Sequence, residues 1–292
     1  MTNRYGFPLC IKNSNLVIGE GLKKTAFIIT VFKNDKLDYF KQAIESIVKQ
    51  DYGFEHINIY LGIDGELPED IKIYIEKNRQ YFYKIIQNES NKGLAFTLNR
   101  LIDLLEDEVY IFRMDSDDIC RIDRVRKQVQ VFEKDSELLL IGSDLTEIDE
   151  KGNEMREKKM PTEMNSIIKF SIARNPFNHS SIAMKKEFFE IVGKYNEEFL
   201  KSQDYELWAR ALITGVKCTN VGEPLLYFRV SSDYMNKRNS FTNYINEFKI
   251  SMRLLKHFKM YNQFSKVLAK LLIRMMPSDI GKVVYRSMRS NK

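Results

Sequence analysis

A chain of 292 residues, 43% hydrophobic and 29% charged, is long enough for one large α/β domain with its own core, which excludes a disordered or fibrous protein. No stretch approaches about 18 uninterrupted apolar residues and no basic-then-apolar leader opens the chain, so neither a spanning helix nor a signal peptide is expected. The three cysteines, Cys10, Cys120 and Cys218, are widely spaced, offer no metal-ligand pairing and suit a reducing cytoplasm. The net charge of +6 is unevenly divided: residues 249–292 hold eleven Lys or Arg and one acid, Asp279, so that end carries +10 and the remainder −4. The division argues against nucleic-acid binding by the main body and for an anionic surface met by one end.

After a polar leader (1–24), the run from Thr25 to Phe32 reads as a buried strand. Asn34 or Asp35 is placed to cap a helix whose apolar positions Leu37, Phe40, Ile44, Ile47 and Val48 fall at helical spacing. Ile57, Ile59, Leu61 and Ile63 alternate as a second strand that stops at Asp64-Gly65. A helix near 68–80, a strand at 82–87, a turn at 88–93, a helix at 94–105 and a strand at 109–114 continue the alternation. The pattern predicts a mainly parallel sheet with right-handed crossovers and helices on both faces. A helix follows through Val125, Val129 and Phe132, then a strand at 138–141 and a polar turn at 149–153. Past Pro161 the expected elements are a strand at 181–184, a helix near 186–192 and another opened by Ser202-Gln203-Asp204.

The chemistry gathers where strands end. Arg113-Met114-Asp115-Ser116-Asp117-Asp118 places three carboxylates directly after an apolar strand, at the sheet edge where α/β proteins bind ligands. Hard oxygen ligands there suit Mg²⁺ or Mn²⁺ carrying a diphosphate; the alternative is a solvated turn in which Asp118 caps the next helix. Together with Lys33-Asn34-Asp35 after the first strand, Asp64 after the second and Gln203-Asp204 some way on, this order and spacing resembles the family 2 glycosyltransferases of the GT-A fold over residues 25–240. The likeness is to the subgroup building bacterial exopolysaccharide, capsule and lipopolysaccharide chains. It runs through Arg113 to Cys120, Arg174-Asn175-Pro176-Phe177-Asn178-His179 and Gln203 to Arg210.

The resemblance implies a GT-A domain with a nucleotide-binding half (25–145) and an acceptor half (146–240), flanked by an N-terminal extension and a helical tail (241–292). It implies an inverting, metal-dependent transfer of sugar from a UDP-sugar to a glycan acceptor on a lipid diphosphate carrier. Asp117 would bind the metal and Asp115 would lie toward ribose and sugar, with Asp118 behind them. Asp64 would accept the uracil imide N–H, and Lys92 of the Asn-x-Gly turn would face phosphate. Arg229 or Arg238, flanking a loop resembling the one that closes over the donor, would clamp the diphosphate. Asp204 would be the general base, beside Gln203 where the family usually has Glu. His179 and Trp208 are candidates to orient or support the acceptor; the alternatives are a structural histidine and a core tryptophan.

The tail reads as a basic amphipathic helix from 247 to 276. Lys249, Arg253, Lys256, Lys266, Lys270 and Arg274 fall on one face, with one gap in their spacing; Ile250, Leu254, Phe258, Phe264, Leu268 and Leu272 fall on another. A second short helix is expected at Lys282, Arg286 and Arg289. Contact with an anionic membrane is expected, making the protein a peripheral one on the inner face of the cell membrane; the alternative is that the apolar stripe packs on the catalytic domain. Other functional readings are a degenerate nucleotide-sugar-binding subunit, which Gln203 alone favours, and a sugar nucleotidyltransferase, which lacks its Gly-rich loop here.

Overall fold

The computed structural model describes residues 21–231 and 241–275. The leader before residue 21, Arg238 with most of its loop and the short helix around 283–289 lie outside those residues. The first half is the expected alternation: β1 (Thr25–Phe32), α1 (Leu37–Val48), β2 (Ile57–Asp64), α2 (Glu69–Lys77), β3 (Lys84–Gln87), α3 (Leu94–Asp103) and β4 (Tyr110–Met114). The chain continues through β5 (Ile119–Cys120), α4 (Arg124–Lys134), β6 (Leu140–Ile148), β7 (Glu154–Lys158), α5 (Met164–Ser171), β8 (Ala183–Lys185), α6 (Glu187–Val192), α7 (Gln203–Ile213) and β9 (Cys218–Arg229). Two further helices follow, α8 (Phe241–His257) and α9 (Phe264–Met275).

One nine-stranded sheet runs β3-β2-β1-β4-β8-β6-β9-β5, with β7 hairpinned onto β6. Its first four strands are parallel, as crossover helices require; β8 is antiparallel to both β4 and β6, and β9 is parallel to β6. Each sheet face carries its own core. On one, α1 contributes Phe40, Ala43, Ile44 and Ile47 at helical spacing, each large side chain gaining roughly 1.5–3 kcal/mol from burial. On the other, α3, α5, α6 and α7 pack around Trp208.

β9 has no counterpart among the expected elements. Gly222 and Pro224 interrupt its pattern as turn residues do, and the pairing with β6 shifts register there, opposite Asp144. The expected single tail helix is also corrected to two. The first ends in a closure in which Lys259 is left-handed (φ +54°) and the Met260 N–H donates to Leu255 O at 3.1 Å. The gap in the cation spacing falls at this break. α8 buries Ile250, Leu254 and Leu255, and α9 buries Val267, in the cluster that contains Trp208. The inner stripe of the tail is therefore consumed by the core, as the packing alternative required, and among the described residues an outer stripe on α9 stays exposed.

Candidate active site

Parallel pairing sets Phe32 beside Asp64 and Ile29 beside Met114, so the residues that leave β1, β2 and β4 emerge on one sheet edge. Strand order reverses at β1, which opens the crevice used by ligands in such sheets. Because β8 runs antiparallel, it begins where β4 ends: Ala183 pairs with Phe112, and His179 and Ser180 arrive beside Asp115. A wholly buried Arg124 secures this junction, donating to Arg113 O at 3.0 Å and Ile182 O at 3.1 Å. Gln128 completes it by donating to Ser181 O at 2.9 Å and Ile141 O at 3.1 Å. Sequence reasoning missed both residues, since a cation and an amide on a helix look solvated until the strands they bridge are known.

Asp115, Asp117 and Asp118 each offer a carboxylate oxygen within 4.8 Å of the others. Asp115 is tied to the Arg113 guanidinium and the Ser180 hydroxyl. Burial pushes its pKa upward, but Arg113 outweighs that and holds the carboxyl below the usual range. Asp117 is open to solvent on one side and surrounded by protein elsewhere; desolvation and the Asp115 charge push it up to about 6. Asp118 is 0% exposed; burial, then Asp117 and Asp115, raise it well above the ordinary value. One of its oxygens accepts the Arg229 N–H at 3.0 Å, and the other is buried with no hydrogen-bond partner. It does not serve as a simple helix cap.

A fourth acid belongs to this cluster. Asp35 was expected as a possible cap of α1, but the cap position is Lys36 and no side chain bonds there. Asp35 instead accepts the Phe32 N–H at 3.0 Å and the Ser116 hydroxyl at 2.8 Å. Desolvation, aided by Asp117 and Asp115, pushes it up to about 7. Crowded carboxylates with raised pKa values, one ending in an orphaned buried oxygen, are a donor set that fits a hard divalent cation: a cation supplies the missing partner and relieves the repulsion.

Asp64 is 6% exposed and accepts three hydrogen bonds, from Asn88 Nδ2 (2.8 Å), Lys92 N–H (2.8 Å) and Gly93 N–H (2.9 Å). It folds the 88–93 turn against β2, and Gly65 permits the approach: its φ is +89°, and a Cβ there would stand 2.8 Å from Asn91 N. The Lys92 side chain is exposed at the rim.

Arg229 departs from its expected place as a diphosphate clamp. It is 4% exposed, and its side chain donates to Asp117 O (3.0 Å), Asp149 O (3.2 Å), Glu150 O (3.3 Å) and Gln42 Oε1 (2.8 Å). A guanidinium with five N–H donors and four such contacts is a strut that fixes the backbone of the acid turn. Arg238, the other candidate clamp, lies outside the described residues.

Trp208 takes the core alternative of its two readings. It is completely buried against Phe177, His179 and Phe188, with ring centroids 5.8–6.2 Å apart, so it backs the site and presents no platform to a sugar. His179 is half-buried with Nε2 2.8 Å from the Tyr195 hydroxyl. Burial, then Arg113, holds its pKa well below the usual value despite Asp115, so the imidazole is neutral at pH 7. Asp204, in the first turn of α7, accepts a hydrogen bond from Asn175 Nδ2 at 2.6 Å; burial, with a smaller push from the Asp204 charge, raises the Tyr195 phenol's pKa.

Residues 27–192 match the family model for "Glycosyl transferase family 2". The chain belongs to glycosyl transferase family 2. Relatives of this glycosyltransferase include the amylovoran biosynthesis glycosyltransferase AmsE of Erwinia amylovora, 30% identical over 90% of this chain and 98% of that protein. Another is the UDP-Gal:alpha-D-GlcNAc-diphosphoundecaprenol beta-1,3-galactosyltransferase of Escherichia coli, 27% identical over 90% and 95% of the two chains. Among solved structures, S. aureus TarS 1-349 in complex with UDP-GlcNAc superimposes with a TM-score of 0.64 at 16% identity, covering 86% of this chain and 72% of that one. The shared architecture is the GT-A fold: a curled, mostly parallel sheet flanked by helices.

Proposed function

We propose that this glycosyltransferase is an inverting, metal-dependent enzyme that moves a sugar from a UDP-sugar to a glycan acceptor on a lipid diphosphate carrier, in assembly of a bacterial surface polysaccharide. The observation that carries this reading is the carboxylate cluster at the β4 edge, with the unpartnered oxygen of Asp118 inside it. Asp117 and Asp118 would hold Mg²⁺ or Mn²⁺, which when bound neutralises a diphosphate leaving group. Asp64 retains by count one acceptor position, enough for one imide N–H, which suits a uracil base. The names of the Escherichia coli relative and of the TarS complex point the same way for donor and carrier.

In the transfer, Asp204 takes the proton of the acceptor hydroxyl. The acceptor oxygen forms its bond to the anomeric carbon as the bond from that carbon to the diphosphate oxygen breaks, and the electron pair leaves with UDP. The face of attack is opposite the leaving group, which inverts the anomeric centre. Arg229 holds the acid turn still through the Asp117 carbonyl, and preorganisation of that kind lowers the barrier without a rearrangement at the moment of reaction. His179 and Tyr195 supply a neutral hydrogen-bonded pair on the β8 side.

The acceptor's lipid carrier would bring the enzyme to a membrane. Among the described residues, no helix is long and apolar enough to cross one. The outer face of α9 exposes Phe264, Leu268 and Leu272, with Tyr261 just before it, near exposed Lys256, Lys259 and Lys266. No Asp or Glu occurs between 249 and 275. An apolar stripe with cations and no acids suits the headgroup boundary of an anionic leaflet.

The test is release of UDP from a panel of UDP-sugars with Mn²⁺ or with chelator. Turnover of at least one donor, lost with chelator, is expected. Asp204→Asn should retain UDP binding while losing ~10²–10⁴ in kcat. UDP binding without release from any donor would favour the degenerate binding subunit, and wild-type turnover in Asp204→Asn would remove Asp204 as base.

A further inference from the structure

Asn175 stands in a turn whose every arm is tied down. Its side-chain carbonyl accepts the Phe177 N–H at 3.2 Å, and its amide nitrogen donates to Asp204 Oδ2 at 2.6 Å. The first bond decides the second: with the carbonyl committed to the turn, the NH₂ side must face the carboxylate. Pro176 biases Asn175 toward extended backbone. Asn220 Nδ2 donates to Pro176 O at 3.2 Å, and the Arg174 N–H to Phe170 O at 3.0 Å. From the C-terminal layer, Lys270 reaches Ala173 O at 2.6 Å while paired with Glu247 at 2.7 Å. The helix that carries Asp204 is anchored as well. Ser202 just before α7, left-handed at φ +63°, is bonded to Asn243 of α8, and within α7 the Arg210 guanidinium clasps Glu206 at 2.9 Å.

We propose that Asn175 is a positioning residue of the transfer reaction, whose amide holds the Asp204 carboxylate at one rotation and so presents its basic oxygen to the acceptor hydroxyl. This rests on the reading of Asp204 as the general base. The residue type follows from the task. A carboxylate left to rotate would lose the alignment that proton transfer needs, and a Lys or Arg in the same place would stabilise its charge and weaken it as a base. A neutral amide donor fixes the geometry at the smaller cost in basicity.

Two substitutions separate this role from maintenance of the turn. Asn175→Asp keeps an acceptor for the Phe177 N–H but replaces the donor facing Asp204 with a like charge; Asn175→Ala removes both. The readout is UDP release, with Mn²⁺, from whichever of UDP-glucose, UDP-galactose and UDP-N-acetylglucosamine the wild-type chain turns over fastest. UDP affinity is measured by calorimetry and folding by thermal melting. Both variants should lose ~10- to 10²-fold in kcat, Asn175→Asp at least as much as Asn175→Ala, with donor KM and UDP affinity unchanged. In an Asp204→Asn background the same changes should cost nothing further, because a residue that acts through Asp204 has nothing left to act on. Wild-type kcat in a folded Asn175→Asp, or an equal loss persisting in the Asp204→Asn background, overturns the proposal. Undiminished turnover in Asp204→Asn alone overturns instead the assignment of the base, a distinct result.

Discussion

At the scale of single residues, the site is organised by an imbalance of charge. Asp35, Asp115, Asp117 and Asp118 crowd together, and only Asp115 is compensated outright, by Arg113. Asp35 and Asp117 are raised from 3.8 to about 7 and about 6, and Asp118 moves the same way. A carboxyl whose folded pKa is raised binds more protons in the native than in the unfolded state between the two values, so stability falls as pH rises from about 4 to about 7. Without metal, the melting temperature in chelator should therefore decline from pH 5 to pH 7.5, and decline less in Asp117→Asn, which removes one of the repelling charges. Added Mn²⁺ at pH 7.5 should raise the wild-type midpoint by binding the native state, and leave the variant's nearly unchanged. Matching pH responses and matching Mn²⁺ shifts in the two proteins would show that the cluster neither repels nor binds as argued.

Elements matter here through what they carry to the strand edge. β8 brings Ser180 and His179 to Asp115 only because it is antiparallel, and β9 brings Arg229 to the acid turn because it lies between β6 and β5, pairing with Ile148 on one side and with the strand that follows the acid turn on the other. α8 fixes the start of α7, joining it through Ser202–Asn243 and Tyr205–Ser251 contacts and burying Leu254 in the core that contains Trp208. Leu254→Ala should cost ~2–5 kcal/mol in urea unfolding, the range for emptying a buried leucine site. A loss near zero would mean that α8 is an appendage. The same packing makes deletion of residues 249–292 a poor test of membrane contact, since it would remove Ile250, Leu254 and Leu255 from the core along with the surface in question.

Across the whole molecule, the uneven charge of the sequence has a structural counterpart. Four acids gather at the strand edge, while Lys256, Lys259 and Lys266 are exposed along the C-terminal helices, whose outer stripe on α9 is apolar. Tyr261 is 63% and Leu272 52% exposed, and with Phe264 and Leu268 at helical spacing they form one apolar stripe, the kind of contiguous patch that marks an interaction surface. Paired Phe264→Glu and Leu268→Glu substitutions should abolish sedimentation with phosphatidylglycerol-containing vesicles and leave the melting temperature unchanged. Wild-type binding should weaken with salt, each cation near the leaflet contributing ~1 kcal/mol. Undiminished binding by the doubly substituted protein would remove α9 from the membrane reading.

The sequence by itself determined the parallel half of the sheet, the strand-end positions of Asp64 and the acid turn, and the family, because hydrophobic periodicity and residues placed just after a strand are local properties. It also showed that the C-terminal end is basic and amphipathic. The tertiary structure alone decided how residues distant in sequence combine: that Asp35 joins Asp117, that Arg229 and Trp208 are spent inside the protein, and that Asn175 meets Asp204. Each depends on strand direction, on register or on which face of a helix is buried. Those are set by long-range pairing and core packing, for which a single sequence carries no periodic mark. Arg229 shows the distinction most plainly: its type suited a phosphate ligand, and its four internal hydrogen bonds made it part of the frame.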